Sequence, residues 1–331
     1  IGEKIPRFLK NFSGGLSAGI LVGFNMLASR VSTPIISIVT LKTEITKLLQ
    51  SIQIISGIID ANSETSVKGQ KPQLMGQISF KNVEFGYDDQ TKIIKNVNME
   101  INPRQIVGIT GKSGCGKSSL TKLLVGLYRP QAGIISYDSV DLRLLDLSHI
   151  RSQVSLVDDN SYFFPGTIRE NIARPMPNSS MDRITWAAKK VFAHEEIELF
   201  PDGYETLIEE NASNLSTGMR QKLQIARALI RNPRILILDD AISGFDVDSE
   251  IKLYDALPDI SVGRTVIIVS NRLWHLRICN KIFVLDEGRI SQEGTFDQLS
   301  SDAGGFFKDS LNKQQLILGK NDALNKLKKV I

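Results

Sequence analysis

The chain has 331 residues, 42% hydrophobic and 23% charged, enough to bury a sizeable core in one large α/β domain with a smaller attachment. Its formal charge of +4 resides in the segment Lys308–Ile331, where six lysines face two aspartates; the remaining body is neutral overall, which argues against a nucleic-acid footprint. The two cysteines, Cys115 and Cys279, have neither metal-ligand spacing nor a disulfide framework, as suits a reducing compartment.

The chain begins at Ile1 with no signal-peptide pattern, and an N-terminal part is expected to be missing. Asn11 to Ser29 are nineteen uncharged residues between Lys10 and Arg30. As a helix they would span about 28 Å, close to the hydrocarbon thickness of a bilayer. Gly, Ala, Ser and Asn25 in this stretch fit a helix packed against other helices; a buried helix of a soluble domain is the alternative. Pro34 is expected to bend or restart the helix, and apolar residues at helical spacing then continue to about Asp60 in a cytosolic segment. The polar run 61–76, with Gly69 and Pro72, reads as a linker and domain boundary.

Next comes a short apolar strand, Gln105–Thr110, followed by G-x-x-x-x-G-K-S at Gly111, Gly116, Lys117 and Ser118. Leu120, Leu123, Leu124 and Leu127 then give a helix face. Strand, glycine loop and helix form a phosphate cradle, because glycines let successive N–H groups point at phosphate oxygens and the helix start adds its positive end. The loop residues Gly111, Ser113, Gly114, Cys115, Gly116, Lys117, Ser118 and Ser119 are therefore assigned to nucleotide binding. Lys117 would reach the β- and γ-phosphates, and the Ser118 hydroxyl would ligate Mg²⁺. Cys115 is expected to point away from the nucleotide and to report on it through alkylation that ATP blocks. A second buried strand, Arg234–Leu238, ends at Asp239, placed to hold Mg²⁺ directly or through water. The last segment, with Leu316, Leu324 and Leu327, reads as a basic amphipathic helix exposed to solvent.

These motifs resemble the ATP-binding cassette (ABC) of membrane exporters over nearly the whole chain. Tyr87 in "VEFGYDD" matches the aromatic residue that stacks on adenine, and "LSTGM" at Leu215–Met219 occupies the place of the signature LSGGQ. Glu210 matches the loop that senses the membrane domain, and "SGFD" at Ser243–Asp246 the loop that crosses between two cassettes. "GGLSAGILVGFNMLASRVSTPII" resembles the last membrane helix of hemolysin-type, type I protein-secretion exporters, which favours the membrane reading of residues 11–29.

The resemblance implies an α/β P-loop NTPase fold: an ABC-type nucleotide-binding domain with antiparallel β and helical subdomains, preceded by a fragment of an all-α transmembrane domain. Its divisions are 1–60, end of the transmembrane domain; 61–76, linker; 77–306, cassette; and 307–331, basic tail. It implies ATP and Mg²⁺, and a second nucleotide-binding domain, identical or different, whose Ser216 and Gly218 would contact the γ-phosphate in trans. It also implies the missing transmembrane helices as partners, a periplasmic adaptor if secretion is type I, and no nucleic acid. The inner membrane is the implied site, with the cassette on the cytoplasmic side. From the residues alone, Ser216 reads first as an ordinary helix N-cap, and only the resemblance makes it a trans contact.

Four positions depart from the family's pattern. The glutamate after the Mg²⁺-binding aspartate is Asp240, whose carboxylate lies about an ångström further from the water it must orient, a displacement able to cost roughly 10²-fold. The histidine that touches the γ-phosphate is Asn271, which donates a hydrogen bond and carries no charge. The glutamine near Mg²⁺ falls on Asp159, which would either ligate the metal or repel the nucleotide. The first signature glycine is Thr217, bulkier where backbone must approach a phosphate, and the signature glutamine is Met219.

Asp240, Asn271 and Asp159 are thus the candidate catalytic positions, and Ser118, Asp239 and Asp159 the candidate metal ligands. His275, four residues beyond Asn271, is expected at a surface or interface near the start of a helix. The reading is a degenerate cassette that binds ATP and hydrolyses it slowly while coupling to export of a protein or peptide. A fully competent homodimeric exporter, a soluble regulatory ATPase and a non-catalytic interaction module are the alternatives. Pairing with a normal cassette would place a defect in each composite site.

Overall fold

The computed structural model describes residues 18–59, 69–88, 90–158, 162–302 and 304–318, and divides the chain into two compact units, Ile1–Thr65 and Ser66–Ile331. The first unit contributes one helix, Ala18–Ile59. It runs unbroken through Pro34, so the expected restart does not occur. The ring removes one hydrogen bond and leaves the neighbouring turns to carry the helix. Ser29, Thr33, Ser37 and Thr40 bond carbonyls three or four residues back on its exposed surface. By length and composition, Gly19–Gly57 is able to cross a membrane, and apolar side chains such as Phe24, Leu27, Val31 and Ile38 are exposed along it. Residues 11–17 of the expected membrane helix lie outside the described residues.

The second unit holds strands β1 (Ile78–Phe85), β2 (Ile94–Ile101), β3 (Ile106–Gly111), β4 (Ala132–Tyr137), β5 (Val140–Asp141), β6 (Val154–Val157), β7 (Gly166–Thr167), β8 (Leu207–Ile208), β9 (Ile235–Asp239), β10 (Thr265–Val269), β11 (Lys281–Asp286) and β12 (Arg289–Gly294). An antiparallel sheet has the order β2-β1-β4-β5, and a six-stranded sheet the order β12-β11-β3-β10-β9-β6, parallel apart from the β11–β12 pair. The strands β3, β9 and β10, "IVGITG", "ILILD" and "TVIIV", are buried at every residue. Continuous apolar runs of this kind are what a parallel strand covered on both faces requires. At the edge, "RISQEG" in β12 alternates with exposure.

Side-chain direction alternates along a strand, and the two cores follow that period. Ile237, Ile267 and Val269 join Phe80, Ile94, Leu120, Leu123 and Leu124 in a core shared with the antiparallel sheet and the phosphate-loop helix. Leu236, Leu238, Val266 and Ile268 instead join Ile172, Ile184, Met219 and Leu223 of the helical region. Asp239 has the parity of Ile237, so the same alternation turns its carboxylate toward the phosphate-loop helix.

Packing extends past both expected boundaries of the cassette. Within the stretch read as linker, Gln70 pairs with Leu145, Leu74 is buried, and the Gly76 carbonyl accepts a 2.8 Å bond from Thr265. At the other end, helix Phe306–Leu318 buries Phe307 and Leu311 in the helical-side core. The expected tail helix beyond residue 318 lies outside the described residues.

Candidate functional site

Strand β3 delivers the chain into the loop 112–116, and the helix Lys117–Leu124 follows at once. Gly111, Gly114 and Gly116 have φ of +152°, +78° and +108°, a region where a side chain is strained. At Gly111 a Cβ would also lie 2.0 Å from the Leu285 carbonyl oxygen of the neighbouring strand, so glycine is required twice over. The helix ends after Leu124, where Gly126 turns at φ +65°. Leu127 is therefore off the helix and exposed, and the buried face consists of Leu120, Leu123 and Leu124. The sequence period continued past a glycine that stops it.

Lys117 is buried, and its ammonium donates to the carbonyls of Gly111 and Lys112, both at 2.9 Å. These bonds draw the two ends of the loop around one positive charge. The Cys115 thiol is packed beside Gly111 and Lys117, and burial raises its pKa above the ordinary value. Its backbone N–H goes to the Lys112 carbonyl at 3.2 Å. Cys115 thus shapes the loop from within, and the thiol is a slower reporter than its place in the sequence implied.

Thr121, which sequence reasoning passed over, ties the loop helix to β9. Its hydroxyl reaches the Ser118 carbonyl at 3.0 Å and Asp239 Oδ2 at 2.9 Å. Its signal was its place one turn beyond Ser118, on the helix face turned to the sheet. The exposed Ser118 hydroxyl and the buried Asp239 carboxylate are both hard oxygen donors. Mg²⁺ is commonly held by one or two such groups together with substrate phosphates and water, so this donor set fits it. Asp159 lies outside the described residues.

Tyr87 leans across the same helix. Its hydroxyl is 3.3 Å from both Ser119 Oγ and Lys122 Nζ. The ring meets Phe85 and Tyr128 edge-on, at 5.1 Å and 5.2 Å between centroids, and remains 50% exposed. An aromatic surface is thereby fixed beside the phosphate loop.

Two further loops gather Asp240 and Asn271. Both residues line one cavity of about 250 Å³, together with Ser243, Tyr254, Arg272 and His275. Asp240 follows β9 at φ +48°, a left-handed conformation that aspartate tolerates better than most residues, and its N–H is held by the Val269 carbonyl at 3.0 Å. His275 departs from expectation: it is 3% exposed, within the short 3₁₀ turn Leu273–Leu276. Its Nδ1 meets Ser270 Oγ at 3.0 Å and its Nε2 meets Glu250. Burial pushes its pKa below the ordinary value despite the opposing pull of Glu250. Burial also pushes Glu250 up, but bonds from His275 and Trp274 and the charge of Arg272 outweigh it and hold that carboxyl low.

Ser216 caps the helix Thr217–Leu229 by accepting the Met219 N–H at 3.1 Å. Gln221 on that helix accepts the Gly244 N–H at 2.9 Å and donates to Ser243 Oγ at 3.3 Å. The "LSTG" and "SGFD" segments are thus fastened together within one chain. Asp246 caps the helix Val247–Ser261, and Ser249 holds its carboxyl below the ordinary range. Phosphate loop, Asp239 and Tyr87 thus form one contact group, Asp240 and Asn271 a second, and Ser216 with Gly218 a third that shares the Ser243–Asp246 loop.

Comparison with known proteins bears on this geometry. A family model described as "ABC transporter" matches residues 94–243. Leukotoxin translocation ATP-binding proteins LktB of Pasteurella haemolytica-like sp. (strain 5943B) and of Mannheimia glucosida are each 38% identical over 297 residues. That match covers 89% of this chain and 42% of each relative, so the chain spans about two fifths of their length. Among solved structures, a bacterial Atm1-family ABC exporter with ATP bound superposes with a TM-score of 0.77 at 29% identity. That superposition covers 91% of this chain and 53% of the other. With its phosphate loop, its Asp239 strand and these likenesses, the chain carries an ABC transporter domain over residues 94–243.

Proposed function

We propose that this chain is the ATP-binding part of an exporter, one that holds ATP firmly and hydrolyses it slowly. The observation that carries the reading is the division of the site into intact and altered halves. Lys117, Ser118, Asp239 and Tyr87 are fastened around one loop helix, whereas Asp240 and Asn271 sit together on a separate cavity.

In the binding half, loop N–H groups and the helix start neutralise phosphate charge, and the Lys117 ammonium is oriented by the Gly111 and Lys112 carbonyls. The half-exposed Tyr87 ring offers a stacking surface for adenine. Ser118 and Asp239 are the groups that would hold Mg²⁺, which when bound offsets charge on the terminal phosphates. In the hydrolytic half, Asp240 accepts the proton of the attacking water and Asn271 donates a hydrogen bond to the γ-phosphate. The first lacks reach and the second lacks charge.

The domain scheme proposed is a transmembrane end over 1–60, a linker over 61–76 whose last residues pack on the cassette, a cassette over 77–306 and a tail over 307–331 whose first helix buries Phe307 and Leu311 against it. The exposed apolar helix Ala18–Ile59 supports a membrane location, here assigned to the inner membrane with the cassette in the cytoplasm. Cargo is assigned to the protein or peptide class on the likeness to LktB. Function requires a second cassette whose Ser216 and Gly218 face this chain's phosphate loop, and the membrane helices of the same protein. If secretion is type I, a periplasmic adaptor completes the assembly.

The deciding experiment measures ATP affinity and phosphate release on the intact purified exporter. Firm ATP binding with turnover well below about 1 s⁻¹, the lower end of typical enzymes, is the expected pair of results. Turnover in the ordinary range would overturn the slow-cassette reading, and failure to bind ATP would overturn the whole.

A further inference from the structure

One buried polar cluster beside the cavity is not used by the nucleotide contacts. Residues 270–272, which carry Asn271, have no regular secondary structure; the backbone holds them through the Ser270 N–H donating to the Ile109 carbonyl and the His275 N–H to the Arg272 carbonyl, both at 3.1 Å, and side-chain ties supply the rest. Glu250 on the helix Val247–Ser261 is 2% exposed and receives three donors from residues 272–275. Trp274 Nε1 reaches Oε1 at 3.0 Å, Arg272 reaches Oε2 at 2.8 Å, and His275 Nε2 also meets Oε1. Arg272 further donates to the Ser243 carbonyl at 3.2 Å, in the loop shared with the signature helix.

The proton positions follow from donor and acceptor capacity. Ser270 Oγ accepts the Arg272 N–H at 3.1 Å, leaving its single proton for His275 Nδ1 at 3.0 Å. His275 Nε2 faces a carboxylate and must therefore donate. A neutral imidazole, protonated at Nε2, meets both demands, and both ring nitrogens are occupied. His275 is thus not available to replace the missing γ-phosphate histidine. It bonds instead to the residue immediately before Asn271, while Glu250 takes the residue immediately after it.

We propose that His275 is a positioning residue: backed by Glu250, it fixes the backbone on both sides of Asn271 over the Asp240 cavity. It also locks that loop to the Ser243–Asp246 loop through Arg272. The proposal rests on reading Asp240 and Asn271 as the hydrolytic half of the site. From the opposite side, Gln314 donates to the Asn271 carbonyl at 2.7 Å and accepts the Leu273 N–H at 3.0 Å, so the loop is gripped twice.

The test uses the intact exporter in three measurements: ATP affinity, single-turnover ATP cleavage, and amide hydrogen exchange of the peptide covering residues 270–273. His275→Ala is expected to raise loop exchange about tenfold and to slow cleavage about tenfold, leaving ATP affinity within about twofold. His275→Gln, which retains an amide donor for Glu250, should recover part of both losses. Gln314→Ala, at a half-buried position with little folding risk, should also raise exchange at Leu273.

Unchanged loop exchange in both alanine variants, or a loss of affinity equal to the loss of cleavage, overturns the positioning role. A parent that binds no ATP, with an alanine variant that still frees the loop, would leave the positioning intact and remove the functional reading beneath it.

Discussion

Restoring the two altered groups of the hydrolytic half should accelerate this cassette. In Asp240→Glu with Asn271→His, the added methylene advances the carboxylate by about an ångström and the imidazole returns a chargeable donor. Misplacement on that scale costs up to roughly 10²-fold, about 2.7 kcal/mol. Against this, residue 240 has φ +48°, where a left-handed conformation costs most side chains about 1–2 kcal/mol and aspartate less. The difference, roughly 0.7–1.7 kcal/mol, is worth about 3- to 18-fold, and with the imidazole's added donor the double variant should gain at least about tenfold in turnover. Because both residues line one cavity, their effects should couple, and each single variant should fall short of its share. Phosphate release from the purified exporter at saturating ATP, compared among parent, both single variants and the double, reads this directly. Equal rates in parent and double variant would refute the reasoning.

Lys117→Ala should weaken ATP binding by tenfold or more, since it removes the loop's buried charge and leaves the Gly111 and Lys112 carbonyls without that donor; unaltered affinity in a nucleotide titration would remove the phosphate-loop assignment. Gly111→Ala should lower thermal stability by several degrees, because its Cβ would meet the Leu285 carbonyl oxygen at 2.0 Å; an unshifted melting curve would contradict that contact. Burial holds the Cys115 thiol protonated to higher pH than a free cysteine, so its alkylation at pH 8 should be slower than that of a free thiol, rise as pH increases, and slow further with ATP; mass spectrometry of the labelled peptide over a pH series would show whether it does.

Local structure set by consecutive residues was legible in the sequence. The phosphate loop, the apolar strand before Asp239 and the cap at Ser216 are local patterns whose spacing is set by backbone geometry, and each has its predicted form in the fold. What sequence could not reach were ties between distant segments. Thr121 to Asp239 spans 118 positions, and His275 to Glu250 spans 25. His275 read as a surface or interface residue because it follows "NRLW" at what reads as the start of a helix, yet the pairing with Glu250 is what makes its burial tolerable. At Pro34 the helix does not restart, and the periodic Leu127 lies just past the glycine that ends its own helix.

Thr217 gives a way to decide whether the proposed partner cassette is identical. Within the chain the threonine is accommodated: its hydroxyl accepts from Arg220 at 3.0 Å, and its methyl packs where Gly244 leaves room, a Cβ there falling 2.5 Å away. Its cost is therefore expected in trans, where backbone must approach a phosphate on the other cassette. In a homodimer each composite site would contain Asp240 and Asn271 of one copy and Thr217 of the other. Repairing both sets then acts on the same barrier, and the gains multiply. With a different, normal partner, Asp240 and Asn271 fall in one site and Thr217 in the other, so the repaired rates add. Thr217→Gly combined with Asp240→Glu and Asn271→His, assayed by phosphate release beside each set alone, separates the two. A product of the separate gains requires two identical cassettes, and a sum requires unlike ones. No gain from Thr217→Gly in either background would place the signature change outside the hydrolytic defect.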